Sequence, residues 1–414
     1  MKPDGTRVPA PWREARILPV HLPPDALSIV VFGPGRGESI VVVFPDKSVG
    51  VVDGCREPTH EVSGRGDPVR EFLDDWAKAQ GGKLRLRFVC LTHPHDDHYA
   101  GLGRLLGAYR GEVDSVWTVL HVGDQYAKPL LKFVETTRAG RDLLPDGATV
   151  KGLERVLAEF NAAYKPKPEG GGSEPILLQK GMPLFREDMG GRPFIISACG
   201  PAGQDILSAH NELINGLKEL AENEEHRTRF DPNAVSGALL IRWGRAGVLL
   251  GGDLLCAQGR YCGWDGVHGA VESPVQVVKV AHHASKEAHH DALWERLGTD
   301  LALAIVTPFK KAKGSMPPRP EQISQLAQDT VVAITSEPEW EKDPTNPLPL
   351  RLLAGTGKTR ARGVTSARNP VLKLSASPGP ADIHNAVAVS LDATGKLVRF
   401  VLAGKADIYE PPDP

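Results

Sequence analysis

The sequence is short of several things, and each shortage excludes a class. Aromatic residues make up 6% of the 414 positions. None of them interleaves with basic clusters in the way of a single-stranded nucleic-acid platform. Charge bias is absent: 49 basic and 51 acidic residues leave a net charge of -2, so no global field steers the chain to nucleic acid or an anionic membrane. No window approaches the ~18 consecutive apolar residues of a membrane span. The opening MKPDGTRVPAPWREARILPV has no apolar core and no small-residue cleavage site of a secretory signal. The cysteines are Cys55, Cys90, Cys199, Cys256 and Cys262, an odd set without a CxxC, which argues against a disulfide framework or a zinc ribbon. Cys90 closes the apolar run LRLRFVC and reads as a small core residue. A cytoplasmic location without membrane contact is the resulting expectation. G-x-S-x-G is missing too, and with it the usual serine nucleophile. GTGKT at 355–359 is not a P-loop, because Leu352 stands where the first glycine belongs.

What remains is an ordinary globular composition, 41% hydrophobic and 24% charged, long enough for two or three domains. Residues 27–53 read as three strands with PGRG and PDKS as turns. A helix-compatible stretch follows at about 68–80. LRLRFVCLT is a strand that runs into HPHDDH, and AGLGRLLGAYR is helical. SVWTVLHV is a strand, and residues 125–164 look mostly helical. KPKPEGGGSEP at 165–175 is a flexible insert. RPFIISACG is a strand, followed by a polar helix at about 204–225. SGALLIRW and GVLLGGD form a hairpin ending on Asp253. PVQVVKVA, LALAIVT and VVAITS are further strands, the last two separated by a helix near 319–328. This order suits an α+β fold of two sheets packed face to face with helices outside. Residues 1–26 form an N-terminal segment and 27–339 the main domain. Residues 340–414 read as a C-terminal extension with one hairpin, AVAVSLDATGKLVRFVLAG.

Histidine is unevenly spread. Of 14, seven fall in 93–98 and 282–290. In an extended loop, residues two apart point the same way, so His93 and His95 can face one metal, and Pro94 between them limits the backbone. Asp97 and His98 lie one turn on, where a helix begins, and can serve a second metal. By composition, H-x-H-x-D-H arises by chance in roughly one chain in a thousand. Imidazole and carboxylate together suit zinc, with manganese possible. Asp253 ends an apolar strand, where a carboxylate is costly unless it meets a cation or donors. His289 and His290 read as a solvated helix start.

HPHDDH, entered from a strand and followed by AGL, resembles the metallo-β-lactamase superfamily. GRGES at 35–39, VVDGC at 51–55, Asn233-Ala-Val-Ser236 before the hairpin, and KVAHHAS at 279–285 resemble the motifs of its ComEC/Rec2-like branch. The resemblance implies an αββα sandwich whose site holds two divalent metals, most simply zinc, bridged by a hydroxide that acts as nucleophile. It implies His93, His95, Asp97, His98 and Asp253 as ligands, with Asp253 bridging, and one of His282 and His283 as a further ligand, the other acting beside the ligands or on the leaving group; the sequence does not say which, and His282 is taken as the ligand. Asp97 and Asp253 would orient the water. His283, Lys286 or Ser285 would serve the leaving oxygen. Asp53 would orient the histidine loop, with Cys199 and Ser285 beside the ligands. Many relatives carry a further histidine on the strand that here ends Cys199-Gly200-Pro201; Cys199 is there either as a thiolate ligand or, more simply, as a buried structural cysteine, and His210 is a weaker substitute on a helix. Ala284 replaces a glycine of the branch motif.

The implied substrate is a phosphodiester or DNA. Lys310, Lys311, Lys313 and Arg319 in PFKKAKGSMPPRP are candidate phosphate contacts, and Lys358, Arg360 and Arg362 form a second basic patch. The alternatives are a small-molecule metallo-hydrolase acting on a lactone, thioester or phosphocholine ester, and a non-catalytic metal-binding module.

Overall fold

The computed structural model describes residues 8–33, 37–55, 67–109, 111–119, 158, 175–221, 231–309, 317–338 and 384–409. Apolar runs between turns become strands. β1 (Trp12–Glu14) precedes β2 (Leu27–Phe32), β3 (Ser39–Val43) and β4 (Val49–Val52). Helix α1 (Pro68–Ala79) starts where the Asp67 carboxylate accepts from the Arg70 amide at 3.1 Å, with Pro68 in the first turn. Its Val69, Phe72, Leu73 and Trp76 recur at helical spacing and are buried. Then come β5 (Leu86–Leu91), α2 (Asp96–Tyr99), α3 (Leu102–Tyr109), β6 (Val116–Thr118) and β7 (Ile176–Leu177). β8 (Pro183–Asp188), β9 (Pro193–Gly200), α4 (Gly203–Ala221), β10 (Ala238–Trp243) and β11 (Ala246–Leu250) follow. The chain continues through α5 (Gly263–Val267), β12 (Val277–Lys279), α6 (Asp291–Leu297), β13 (Leu303–Val306), α7 (Pro320–Asp329) and β14 (Val331–Ile334). It ends in β15 (Ala386–Leu391), β16 (Leu397–Ala403) and β17 (Asp407–Tyr409).

These strands make two mixed sheets. The first runs β1-β16-β15-β2-β3-β4-β5-β6-β7 and the second β17-β14-β13-β12-β11-β10-β9-β8. The inner faces pack into one apolar core, in which Phe88 stacks on Trp117 with ring centres 3.9 Å apart. A second core lies outside the second sheet, where Leu249, Val278, Val306 and Val332 meet Trp264, Leu293 and Ile323 of the covering helices. Strand parity sorts side chains between the two layers. In β9, Phe194, Ile196 and Ala198 point inward while Cys199 belongs to the outer core. The architecture is the αββα sandwich.

The C-terminal strands correct the boundary drawn at 339. β15 sits inside the first sheet, antiparallel to both β2 and β16, and β17 borders β14 in the second. β1, from the N-terminal segment, pairs in parallel with β16. All six residues of β15 are buried, and such a strand needs a partner on each edge as well as cover on each face. The helical reading of 125–164 and the insert at 165–175 fall almost wholly outside the described residues. So does the patch around Lys358, Arg360 and Arg362.

β4, β5 and β6 are mutually parallel, as are β11 to β14. Asp53, Thr92, Asp253, Ala281 and Thr307 follow the carboxyl ends of five of these strands. This shared edge of the two sheets carries the charged and imidazole side chains.

Candidate metal centre

The loop after β5 and the one-turn helix α2 carry the first cluster. His93 and His98 are fully buried. The Asp53 carboxylate holds this loop: Oδ1 accepts from the Thr92 amide at 2.8 Å, and Oδ2 accepts from Thr92 Oγ1 and from His98 Nδ1, each at 2.7 Å. Burial pushes the Asp53 carboxyl above its ordinary value against the pull of His98; in its ionised form it only accepts, and His98 then carries a proton on Nδ1 and turns Nε2 the other way. Gly37 makes this packing possible, because a Cβ there would stand 2.0 Å from the Asp97 carbonyl oxygen.

Nε2 of His98 lies 3.3 Å from Asp253 Oδ2 and 3.6 Å from Asp97 Oδ2. His283 Nε2 reaches the same two oxygens at 3.5 and 3.4 Å. Asp97, His98, Asp253 and His283 thus form a four-donor group with one ligand atom from each within 4.8 Å of the others. His93, His95 and Asp253 form a second, three-donor group, so Asp253 is common to both. His93 Nε2 stands 3.0 Å from His95 Nδ1 and 3.8 Å from Asp253 Oδ2. Ser236 ties the groups together: its hydroxyl accepts from the Asp253 amide at 2.9 Å and lies 3.2 Å from His93 Nδ1.

The donor set fits a divalent cation on a direct observation. His98 Nε2, His283 Nε2 and Asp253 Oδ1 are buried without a hydrogen-bond partner. Buried polar atoms are rarely left so, and these three meet in one group. Protonation answers the same crowding in the metal-free chain. Burial pushes the His98 imidazole down, but the carboxylates of Asp253, Asp97 and Asp53 outweigh it and lift it well above its ordinary value. His283 is likewise depressed by burial yet raised overall, chiefly by Asp253 and Asp97. Burial acts to raise Asp97 and Asp253, but His98 and His283 hold both below the ordinary carboxylate range. His93 and His95 are lowered by burial. For His93 the nearby His98 and His95 add to the effect.

Two sequence-derived assignments are corrected by the geometry. The first chose His282 over His283. His282, His283 and Ala284 all have left-handed backbone, with φ of 44°, 55° and 60°. This bend turns His283 into the four-donor group and sets His282 apart. His282 Nδ1 lies 2.8 Å from Ser285 Oγ, and its Nε2 lies 3.3 Å from the Asn233 amide nitrogen. The second concerned Cys199. It lies in the outer core, 3.8 Å from the Ala270 carbonyl oxygen, in no group of metal donors among the described residues. Burial pushes its thiol up to about 12.

Lys286 is exposed on the turn after Ser285, and Arg319 is exposed just before α7. Lys310, Lys311 and Lys313 lie outside the described residues. His210 is half-buried on α4. His290 caps α6, its Nδ1 accepting from the Leu293 amide at 3.2 Å, and His289 stacks on Trp294. Sequence reasoning assigned no role to Glu38, Lys279 or Thr307. A lysine inside the apolar run PVQVVKVA was the available signal, since a buried ammonium requires a partner.

A two-sheet sandwich with histidines and carboxylates gathered at the ends of its strands defines a class of metal-binding fold. The family model for the metallo-beta-lactamase superfamily matches residues 64–306. The chain belongs to that superfamily, whose members are mostly hydrolytic enzymes. Among solved structures it is similar to the metallo-beta-lactamase fold protein YhfI from Bacillus subtilis. That match has 13% identity and a TM-score of 0.33, and covers 70% of this chain and 88% of that one. The archaeal superfamily protein ST1585 from Sulfolobus tokodaii matches at 16% identity and a TM-score of 0.24, covering 58% and 68%. No curated protein matches the chain significantly. Among the described residues, no helix is long and apolar enough to cross a membrane.

Proposed function

We propose that the protein is a metal-dependent hydrolase of phosphodiesters, of the ComEC/Rec2-like branch. The observation that supports hydrolysis at this edge is a pair of histidine–carboxylate groups that share Asp253, one of which gathers three buried atoms without a hydrogen-bond partner. His93, His95 and Asp253 would hold one cation; Asp97, His98, Asp253 and His283 would hold the other. Divalent cations bound there would activate water at neutral pH and polarise the scissile group. The protein's part is to fix the donors and keep their tautomers. Asp53 does so for His98, and Ser236 fixes Asp253 through its backbone. His282, held by Ser285 and Asn233 beside the group, would contact a leaving oxygen. Phe309 stacks on His283 with ring centres 5.0 Å apart and shields it.

Support for a phosphodiester comes from the motifs GRGES, Asn233-x-x-Ser236 and KVAHHAS. The test is turnover of a chromogenic bis-aryl phosphodiester and of single-stranded DNA by zinc- or manganese-loaded protein. A thioester and a lactone run in parallel. Phosphodiester cleavage that disappears in Asp253→Ala is the expected result. Loaded protein inert on both phosphodiesters, or active only on the thioester or lactone, overturns the reading.

A further inference from the structure

Glu38 and Lys279 form an ion pair between the two sheets, beneath the candidate metal centre. Both are buried, Lys279 completely and Glu38 at 1% exposure. Lys279 ends β12 of the second sheet, and Glu38 immediately precedes β3 of the first. The Lys279 ammonium also donates to the Val280 carbonyl at 3.0 Å. Charges removed from water this completely carry a large desolvation cost, and their attraction often does no more than offset it. The pair is therefore a poor device for stability alone, and its surroundings give it another use.

The second partner of Glu38 is Thr307, whose hydroxyl donates to Oε2 at 2.7 Å. Both oxygens of Thr307 face His283: Nδ1 lies 2.8 Å from the carbonyl oxygen and 3.1 Å from Oγ1. The directions follow one from another. A carboxylate only accepts, so the Thr307 hydroxyl proton points to Glu38. Oγ1 then presents a lone pair to His283, as the carbonyl does. His283 must carry a proton on Nδ1, and its Nε2 is the atom aimed at Asp97 and Asp253. Glu38 has a second hold on the same group, since its amide donates to the Asp97 carbonyl at 3.2 Å. It also lies in a group with Asp53 and His98 whose donor atoms are within 4.8 Å of one another.

We propose that Glu38, balanced by Lys279 and acting through the Thr307 hydroxyl, is a positioning residue that sets the ring orientation of His283 for cation binding in the four-donor group, the Thr307 carbonyl holding its Nδ1 proton. The pair does for His283 what Asp53 does for His98, by way of a threonine instead of directly. Outer partners of this kind change metal affinity by about 10- to 100-fold when lost. The proposal rests on the metal-centre part of the proposed function and not on the substrate.

The experiment uses zinc as the probe and no substrate. Glu38→Gln/Lys279→Met removes both charges together and so leaves no uncompensated buried ion. Thr307→Val removes the hydroxyl and keeps the shape. Metal-free protein is titrated with zinc against a chromophoric chelator, thermal unfolding is followed, and zinc-loaded protein labelled with ¹⁵N-histidine reports the His283 tautomer. The expected result is a folded double variant whose four-donor group binds zinc about 10- to 100-fold more weakly. The three-donor group is unchanged, and the His283 Nδ1–H signal shifts as the Oγ1 contact is disturbed while the Thr307 carbonyl keeps the proton. Thr307→Val shifts in the same direction by less. Wild-type affinity in a folded variant, or equal weakening of both groups, overturns the proposal. If the double variant does not fold, Thr307→Val decides. Protein that binds zinc as described but cleaves no phosphodiester sinks the substrate assignment and leaves this inference standing.

Discussion

Asp53→Asn isolates the orientation of His98 from everything else at the site. The backbone does not resist the change: Asp53 sits at φ 58°, where asparagine is as comfortable as aspartate. Volume is conserved. What changes is the polarity of one atom. One amide oxygen replaces two acceptors, and it can still take the Thr92 amide at 2.8 Å. The new NH₂ then faces Thr92 Oγ1 and His98 Nδ1, both at 2.7 Å. The hydroxyl can rotate to accept. The imidazole can accept only by moving its proton to Nε2, the atom that points at Asp253 and Asp97. Loss of such an outer partner weakens metal binding by about 10- to 100-fold, which is about 1.4 to 2.7 kcal/mol. Loss of charge-assisted hydrogen bonds in a site this buried also costs about 1.5 to 3 kcal/mol of stability. Zinc competition with a chelator and thermal melts of the metal-free protein measure the two effects separately. A folded Asp53→Asn protein with wild-type zinc affinity would refute the tautomer reasoning for His98.

Other predictions follow from the same geometry. Asp253→Ala removes the donor common to both groups, so elemental analysis should show zinc falling from both. Retention of a full equivalent at the three-donor group would show that Asp253 does not serve it. Binding should release protons, because His98 and His283 are raised above 6.5 in the metal-free chain. Raised histidines contribute stability that is fully present below 6.5 and is lost as pH rises through their folded values. Lowered Asp97 and Asp253 contribute stability that is present above 3.8 and lost only as pH falls through their depressed values. Melting of chelator-treated protein should therefore drop as pH climbs above 6.5, and zinc should reverse the drop; a flat profile would contradict the assignment. Cys199→Ala should leave zinc binding unchanged, and the native thiol, pushed up to about 12, should resist alkylation at pH 8. Ala284→Gly should move stability by no more than about 1 kcal/mol. Relief of the left-handed conformation, about 1 to 2 kcal/mol, is opposed by the lost buried methyl, about 0.8 kcal/mol, and by the freer unfolded chain. Ala284→Val, β-branched at the same φ, should melt well below wild type.

The limits of reading this protein from its sequence have a physical pattern. Strands and helices whose apolar spacing is local were legible, and so was the His-x-His-x-Asp-His loop, since its residues act within one turn of each other. Partners distant in sequence were not. Nothing in AVAVSLDATGKLVRFVLAG shows that its first strand enters the first sheet beside β2, because a strand buried on both faces reads the same at a centre or an edge. Thr307 and Glu38 are 269 positions apart, and no pattern in either neighbourhood reports the other. His282 against His283 failed for a different reason. Three consecutive left-handed residues follow the strand and decide which of the two adjacent histidines faces inward. Those conformations cost about 1 to 2 kcal/mol each outside glycine, so no propensity rule anticipates them.

Cys199 was decidable in advance. FIISAC alternates, and parity from Phe194, Ile196 and Ala198 already places Cys199 on the opposite face. The same counting bears on Lys279 and Thr307. Val277 of β12 and Leu303 and Ile305 of β13 face the inner core, so two further steps bring Lys279 and Thr307 to that inner side. A lysine and a threonine turned toward the gap between two apolar sheets, at the edge where the metal donors gather, require an acid from the facing sheet. Glu38, the one acidic residue in the turn before β3, was the available choice. Parity thus marks Lys279 as needing a partner on the facing sheet; the structure shows that partner to be Glu38, and its bond to Thr307 leads on to His283. That order of inference makes Lys279, more than any of the fourteen histidines, the residue whose position in the sequence says most about how the site is held.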